Sequence, residues 1–174
     1  MNYIFDPQFL LVIAKLCLAM ILGLLLGLER IYAHKTVGLR TYALVTISTC
    51  FFIIISLYIG TNLAHLGDGF NPAFIAGSII SGIGFLGAGL IIFNDNHIQN
   101  LTTAAGLWVC AGIGIACGFG MFGEAIFLTI LAFFVLAILS TVERHLRLKF
   151  FPDPQFVEQE KKKRSISTKK IAIK

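Results

Sequence analysis

Along the chain, long apolar runs alternate with short polar breaks. Five runs, at 9–28, 41–60, 72–93, 102–118 and 122–142, carry almost no charge, and each boundary holds a charge, a proline, an amide or a glycine cluster. A helix needs about 20 apolar residues to cross the hydrocarbon of a bilayer, so the runs predict five transmembrane helices. The fourth is the weakest, being short and glycine-rich. Between it and the fifth, Gly118-Phe119-Gly120-Met121-Phe122-Gly123 predicts a tight hairpin at the membrane surface. The alternative is one long kinked helix, but the two runs together supply the roughly 40 residues that two spans require. The first run lacks a basic start, and Glu29-Arg30 follows it in place of a small-residue cleavage site, so it predicts a retained helix. The pattern gives an all-α, polytopic membrane protein, with a transmembrane domain over 1–143 and a basic tail over 144–174.

Composition removes the soluble alternative. The chain is 57% hydrophobic and 13% charged, against about 25% charged in an ordinary soluble domain. A soluble fold so apolar would expose large aggregating patches. Its 17 glycines also suit membrane helices.

Orientation follows from lysine and arginine, which concentrate in cytoplasmic segments. Arg30, Lys35 and Arg40 lie between the first two runs; Arg144, Arg147, Lys149 and a cluster from Lys161 to Lys174 follow the fifth. The N-terminal stub, 61–71 and the 118–123 hairpin contain neither residue type, while Asp6, Asp68 and Glu124 lie in or beside them; the loop 94–100 is charge-poor. Five spans then place the N-terminus outside and the C-terminus in the cytoplasm. The tail, with Pro152, Pro154 and Lys161-Lys162-Lys163-Arg164, reads as a disordered segment or one lying on anionic lipid. Nucleic-acid binding by so short a run is not expected.

Several residues are not explained by hydrophobicity. Lys15 lies within the first run, and either its stem snorkels to the headgroups or it has a role in the interior. Adjacent helical residues do not face each other, so Glu29 is expected to pair with Arg40 rather than Arg30, unless all three only mark the boundary. Small residues at Gly77, Ser81, Gly84 and Ala88 share one face of the third helix, and Gly23 and Gly27 form a smaller such pair on the first. Such faces let backbones approach closely, within the chain or in a homo-oligomer; a kinked helix opening backbone to a ligand cavity is the other reading. Thr102 is the expected N-cap of the fourth helix; with Thr103, Asn94 and Asn100 that terminus is also a potential anion site. Trp108 is expected to pack inside, and Glu124 to complement the dipole of the fifth helix. The four cysteines, Cys17, Cys50, Cys110 and Cys117, read as buried small hydrophobes, and no Cys/His ligand spacing signals a metal. Histidines 34, 65, 97 and 145 are dispersed. No arrangement of nucleophile and base, and no phosphate loop, points to an enzyme or a cofactor.

The segment Gly27-Leu28-Glu29-Arg30, followed by Val37-Gly38-Leu39-Arg40-Thr41-Tyr42-Ala43-Leu44, resembles the opening of the MgtC/SapB family. So do Gly82-Ile83-Gly84-Phe85-Leu86-Gly87-Ala88-Gly89 and Leu101-Thr102-Thr103-Ala104-Ala105-Gly106-Leu107-Trp108, in the same order. The resemblance implies a five-helix protein of the bacterial inner membrane, associated with low-magnesium growth and with survival of pathogens inside macrophages. It implies regulation of membrane partners, the proton-driven ATP synthase among them, more than Mg²⁺ carriage. Longer members carry a soluble C-terminal domain of ACT-like type, so the short SapB/YhiD-like subgroup is the closer comparison. If the motifs mark a site, its residues are Glu29, Arg30, Arg40, Thr41, Gly84, Gly87, Thr102 and Thr103, expected mostly at the cytoplasmic face.

Two function classes follow: a regulatory or binding protein working through helix contacts, and a transporter or channel for Mg²⁺ or another ion. Mg²⁺ takes oxygen ligands, commonly carboxylates with retained waters. The only glutamates near the runs, Glu29, Glu124 and Glu143, all sit at their ends. That shortage of buried charge favours regulation, although carbonyls freed by glycine kinks can line a path.

Overall fold

The computed structural model describes residues 7–33, 35, 37–62, 71–94, 97–139 and 142. The basic tail, Asp6, Asp68 and histidines 34, 65 and 145 lie outside these residues. Helix α1 spans Pro7–Tyr32, α2 Leu39–Asn62, α3 Pro72–Leu90, α4 Leu101–Phe119 and α5 Phe122–Phe134. A π-helical segment, Val135–Leu139, prolongs α5. All five helices are long and apolar enough to cross a membrane, the fifth as Phe122–Leu139. The chain is therefore an all-α, multi-pass membrane protein, as the apolar runs predict. Residues up to Phe133 form one compact unit and those from Phe134 onward a second; the packing below belongs to the first.

Local chemistry sets the helix ends. Asn71 caps α3 by accepting from the Ala73 N–H at 2.9 Å, with Pro72 in the first turn, where its missing N–H is no loss. The end of α4 is a Schellman turn: the Gly120 N–H donates to the Cys117 carbonyl at 3.0 Å and the Met121 N–H to the Ala116 carbonyl at 2.9 Å. Gly120 holds φ 84°, which suits a residue without Cβ. Two spans with a tight turn between them, not one kinked helix, occupy 101–139.

Three boundaries differ from the sequence reading. Helix α1 runs past Leu28 and includes Glu29 and Arg30, whose charges neutralise each other inside the bundle. Helix α3 stops at Leu90, and the supposed loop is a hairpin of β1, Ile92–Asn94, and β2, His97–Gln99, pairing Ile92 with Gln99 and Phe93 with Ile98. Thr102 is not the N-cap of α4. Asn100 holds that position at φ 65°, a left-handed conformation asparagine tolerates, and its side-chain N–H donates to the Leu90 carbonyl at 3.2 Å instead of capping.

The core is a seam of α1, α2 and α4. A Cβ on Gly23 would lie 2.6 Å from Thr46 Oγ1 and 3.0 Å from the Ala43 Cα, and one on Gly27 2.6 Å from the Leu39 Cα. The first helical pair thus meets backbone to backbone across this GxxxG. The other side of α2 packs on Gly106, Gly114 and Gly118: a Cβ there would collide with the Tyr42 hydroxyl, with Thr49 Oγ1 and the Thr46 carbonyl, and with Ile53 respectively. Inside this seam the Thr46 and Thr49 hydroxyls donate to the carbonyls one turn back, at 2.8 and 3.2 Å, so neither is stranded. Cys50, Cys110 and Cys117 are buried beside them, whereas Cys17 is exposed. Outside the seam the helices present apolar side chains outward, as lipid contact requires; Phe85, Phe74 and Phe127 are mostly exposed. Trp108 is more than half exposed too, so it faces outward and does not pack inside.

Candidate functional site at one end of the bundle

The last turn of α1, the first turns of α2 and α4 and the end of α3 meet at one end of the bundle. Tyr42 joins them: its hydroxyl donates to the Thr103 carbonyl at 3.3 Å and lies in the field of Arg30 and Glu29. Gly106 leaves the space that the tyrosine hydroxyl fills, and a Cβ on Gly87 of α3 would lie 3.6 Å from the Ala104 Cβ, an ordinary contact. Glu29, Arg30, Tyr42 and Thr103 are all buried.

Glu29 and Arg30 are partners of each other. Both Arg30 Nε and Nη2 contact Glu29 Oε2. The expected Glu29–Arg40 bridge does not form, because Arg40 is exposed. Neighbouring Cβ atoms diverge by the helical turn, yet a guanidinium on a flexible stem folds back when both groups are shut away from water. Breaking such a pair leaves a buried charge uncompensated. The pairing uses only one edge of the guanidinium: Nη1 has no hydrogen-bond partner, and neither has the Thr103 hydroxyl.

The sequence candidates therefore divide. Glu29, Arg30, Thr103 and Gly87 come together in the buried cluster; Arg40, Thr41, Thr102 and Gly84 are exposed. Gly77, Ser81, Gly84 and Ala88 are exposed among the described residues; a Cβ on Gly77 or Gly84 would meet nothing within 4 Å. The intramolecular reading of that stripe is corrected: the close approaches use Gly23 and Gly27 on α1 and Gly106, Gly114 and Gly118 on α4. Sequence reasoning missed the α4 row and Tyr42, although Gly106, Cys110, Gly114 and Gly118 recur every fourth residue on one helical face.

At the opposite end Lys15 reaches α4. Its ammonium donates to the Gly118 carbonyl at 2.8 Å, and that carbonyl belongs to the last turn, which has no amide partner of its own. A cation is favoured at this end of the helix dipole, so Lys15 ties α1 to α4. Between α2 and α3 lies an open apolar groove of about 590 Å³, with Leu44, Phe52, Ile79 and Leu86 on its walls and Gly82 at its side. Among the described residues there is no cluster of three His, Cys, Asp or Glu able to hold a metal.

Five apolar helices, a glycine-built seam and a buried polar cluster at one end define a multi-pass helical membrane protein with a closed core. Comparison with known proteins narrows this class: residues 16–145 match the MgtC family, and the chain belongs to it. It is 38% identical over 149 residues to an uncharacterized protein of Haemophilus influenzae, covering 84% of this chain and 63% of that protein. It is 43% identical over 119 residues to Protein MgtC of Salmonella typhimurium, covering 68% of this chain and 48% of the relative. For Protein MgtC of Brucella abortus the identity is 39% over 121 residues, covering 70% and 48%. The chain thus spans about half to two thirds of the length of these relatives. No solved structure matches it.

Proposed function

We propose that this chain is a regulatory or binding protein of the bacterial inner membrane, acting on other membrane proteins through lateral helix contacts. In this reading the N-terminus lies outside and the C-terminus in the cytoplasm, and the protein serves adaptation to low magnesium and intracellular survival. Its partners are the lipid bilayer and inner-membrane complexes, with the ATP synthase the first to examine and a second copy of the chain another; nucleic acid is not among them. It carries out no catalysis and takes no cofactor.

A contrast between two sets of glycines supports this most. Gly23 and Gly27 of α1 and Gly106, Gly114 and Gly118 of α4 each lie tight against α2, whereas a Cβ on Gly77, Gly82, Gly84 or Gly89 of α3 would meet nothing within 4 Å. Glycine costs a helix about 1 kcal/mol relative to alanine. Close approach offsets that cost on α1 and α4, and a partner helix would offset it on α3. Transport of Mg²⁺ is the weaker alternative. The α1–α2–α4 seam is filled by backbone and hydroxyl contacts, and the buried carboxylate Glu29 is held by Arg30.

Photocrosslinking in native membranes tests this reading. A crosslinker at Gly84 or Phe85 should give discrete protein adducts, and one at Phe127 on α5 should give mainly lipid. Adducts absent from α3, or equal at both places, would defeat it.

A further inference from the structure

The groove between α2 and α3 has the length, the width and the charged end that a membrane lipid requires. Leu44 and Phe52 of α2 and Ile75, Ile79 and Leu86 of α3 wall it, and both helices are long and apolar enough to cross a membrane. Two hydroxyls on its walls are engaged within their own helices: Ser78 donates to the Phe74 carbonyl at 3.0 Å and Thr49 to the Thr46 carbonyl at 3.2 Å. Ile75 to Leu86 rises about 16 Å at 1.5 Å per residue, close to the ~15 Å of one leaflet, half of the hydrocarbon core. Spread over that length, a volume of about 590 Å³ gives a width of roughly 6–7 Å, against about 10–12 Å for a helix with its side chains. A single hydrocarbon chain fits within it, and a helix would rest across its mouth. Arg40, exposed, lies one turn before Leu44 on the same side of α2, so a cation stands beyond the end of the groove. Among the described residues the acid at this end, Glu29, is buried and already held by Arg30.

We propose that the groove binds one anionic glycerophospholipid, with an acyl chain laid between α2 and α3 and its phosphate at Arg40. Burial of the chain against apolar walls holds the lipid, and the guanidinium, a fork suited to phosphate oxygens, selects the headgroup. The site lies apart from the lateral contacts proposed above. At about 100° per residue, Ile75, Ile79, Gly82 and Leu86 share one side of α3, while Gly77, Ser81, Gly84 and Ala88 share the opposite side. Lipid on the first side and a protein partner on the second do not compete, and either can fail without the other.

The test uses the full chain in dodecyl maltoside, a detergent without phosphate, and titrates phosphatidylglycerol or phosphatidylcholine of the same acyl chains. Native mass spectrometry counts the lipids bound, and thermal unfolding reports the integrity of each variant. The wild type should bind phosphatidylglycerol saturably, about fivefold tighter than phosphatidylcholine, the worth of one cation near a headgroup. Gly82→Leu puts a side chain into the groove where a Cβ meets nothing within 4 Å. It should unfold no earlier than the wild type without lipid, yet lose the saturable binding. Arg40→Gln should bind the two lipids equally, and Gly84→Leu, on the opposite side of α3, should bind as the wild type does. No saturable binding by the wild type overturns the proposal, as do equal affinities for the two lipids, binding kept by Gly82→Leu, or a preference kept by Arg40→Gln. A wild type that is dimeric and lipid-free, with Gly82→Leu monomeric, would put a second copy in the groove and overturn it too.

Discussion

Two charged residues of α1 owe their places to different physics. Lys15 lies in an apolar run, yet its ammonium donates to the Gly118 carbonyl near the end of α4. Replacing it by methionine should lower stability by about 1–2 kcal/mol, as loss of a charged hydrogen bond does. A lysine that only snorkelled would give no loss, so the thermal midpoint of Lys15→Met in detergent separates the two. At the other end Arg30 is locked to Glu29 in a buried pair. Arg30→Ala should destabilise by about 3–5 kcal/mol because it strands the carboxylate. Arg40→Ala, on an exposed residue, should change stability by less than about 0.5 kcal/mol. Unfolding of both variants beside the wild type checks the difference; equal losses would restore the Glu29–Arg40 bridge read from sequence. That bridge was misread because residue spacing fixes where Cβ atoms point, while the path of a long side chain is decided by where water is excluded.

Among the helices, glycine has two uses, and the sequence does not separate them. On α4, Gly114 sits against Thr49 and the Thr46 carbonyl. Gly114→Ala should overpack the seam and cost about 1–3 kcal/mol. On α3, Gly84 meets nothing within 4 Å. Gly84→Ala should leave the isolated chain as stable or raise its stability by up to about 1 kcal/mol through helix propensity, while weakening adducts formed at Phe85. Unfolding midpoints of the two variants check the first pair of outcomes, and crosslinking yield checks the third. A loss of stability in Gly84→Ala alone would mean that α3 packs within the chain. The small residues of α3 offer a packing face within the chain or to a second copy, yet the face used inside the chain is the row on α4. Periodicity reveals that a helix has a small-residue face, and only the tertiary arrangement decides what covers it.

For the whole molecule, hydropathy sufficed where the solvent does the selecting. Five long apolar runs had to become helices, since a bilayer leaves no other partner for their backbone groups. The Gly120 turn was legible for the same local reason. The hairpin at 92–99 was not, although Asn94-Asp95-Asn96 is a run of turn-favouring residue types between Ile92-Phe93 and Ile98. It stayed hidden because its strands are three residues each and merge with the apolar run before them. Of the candidate site, the identity of Glu29, Arg30 and Thr103 was readable from the family motifs, but their burial and the bond from Tyr42 to the Thr103 carbonyl depend on long-range packing. In the proposed function the α1–α2–α4 seam, filled by backbone and hydroxyl contacts, carries no ion, and the protein acts through partners at its surface. Mg²⁺ uptake into proteoliposomes containing the purified chain tests that claim most directly. Uptake should not exceed that of empty liposomes, for the wild type and for Glu29→Ala alike; saturable uptake by the wild type that Glu29→Ala abolishes would contradict it.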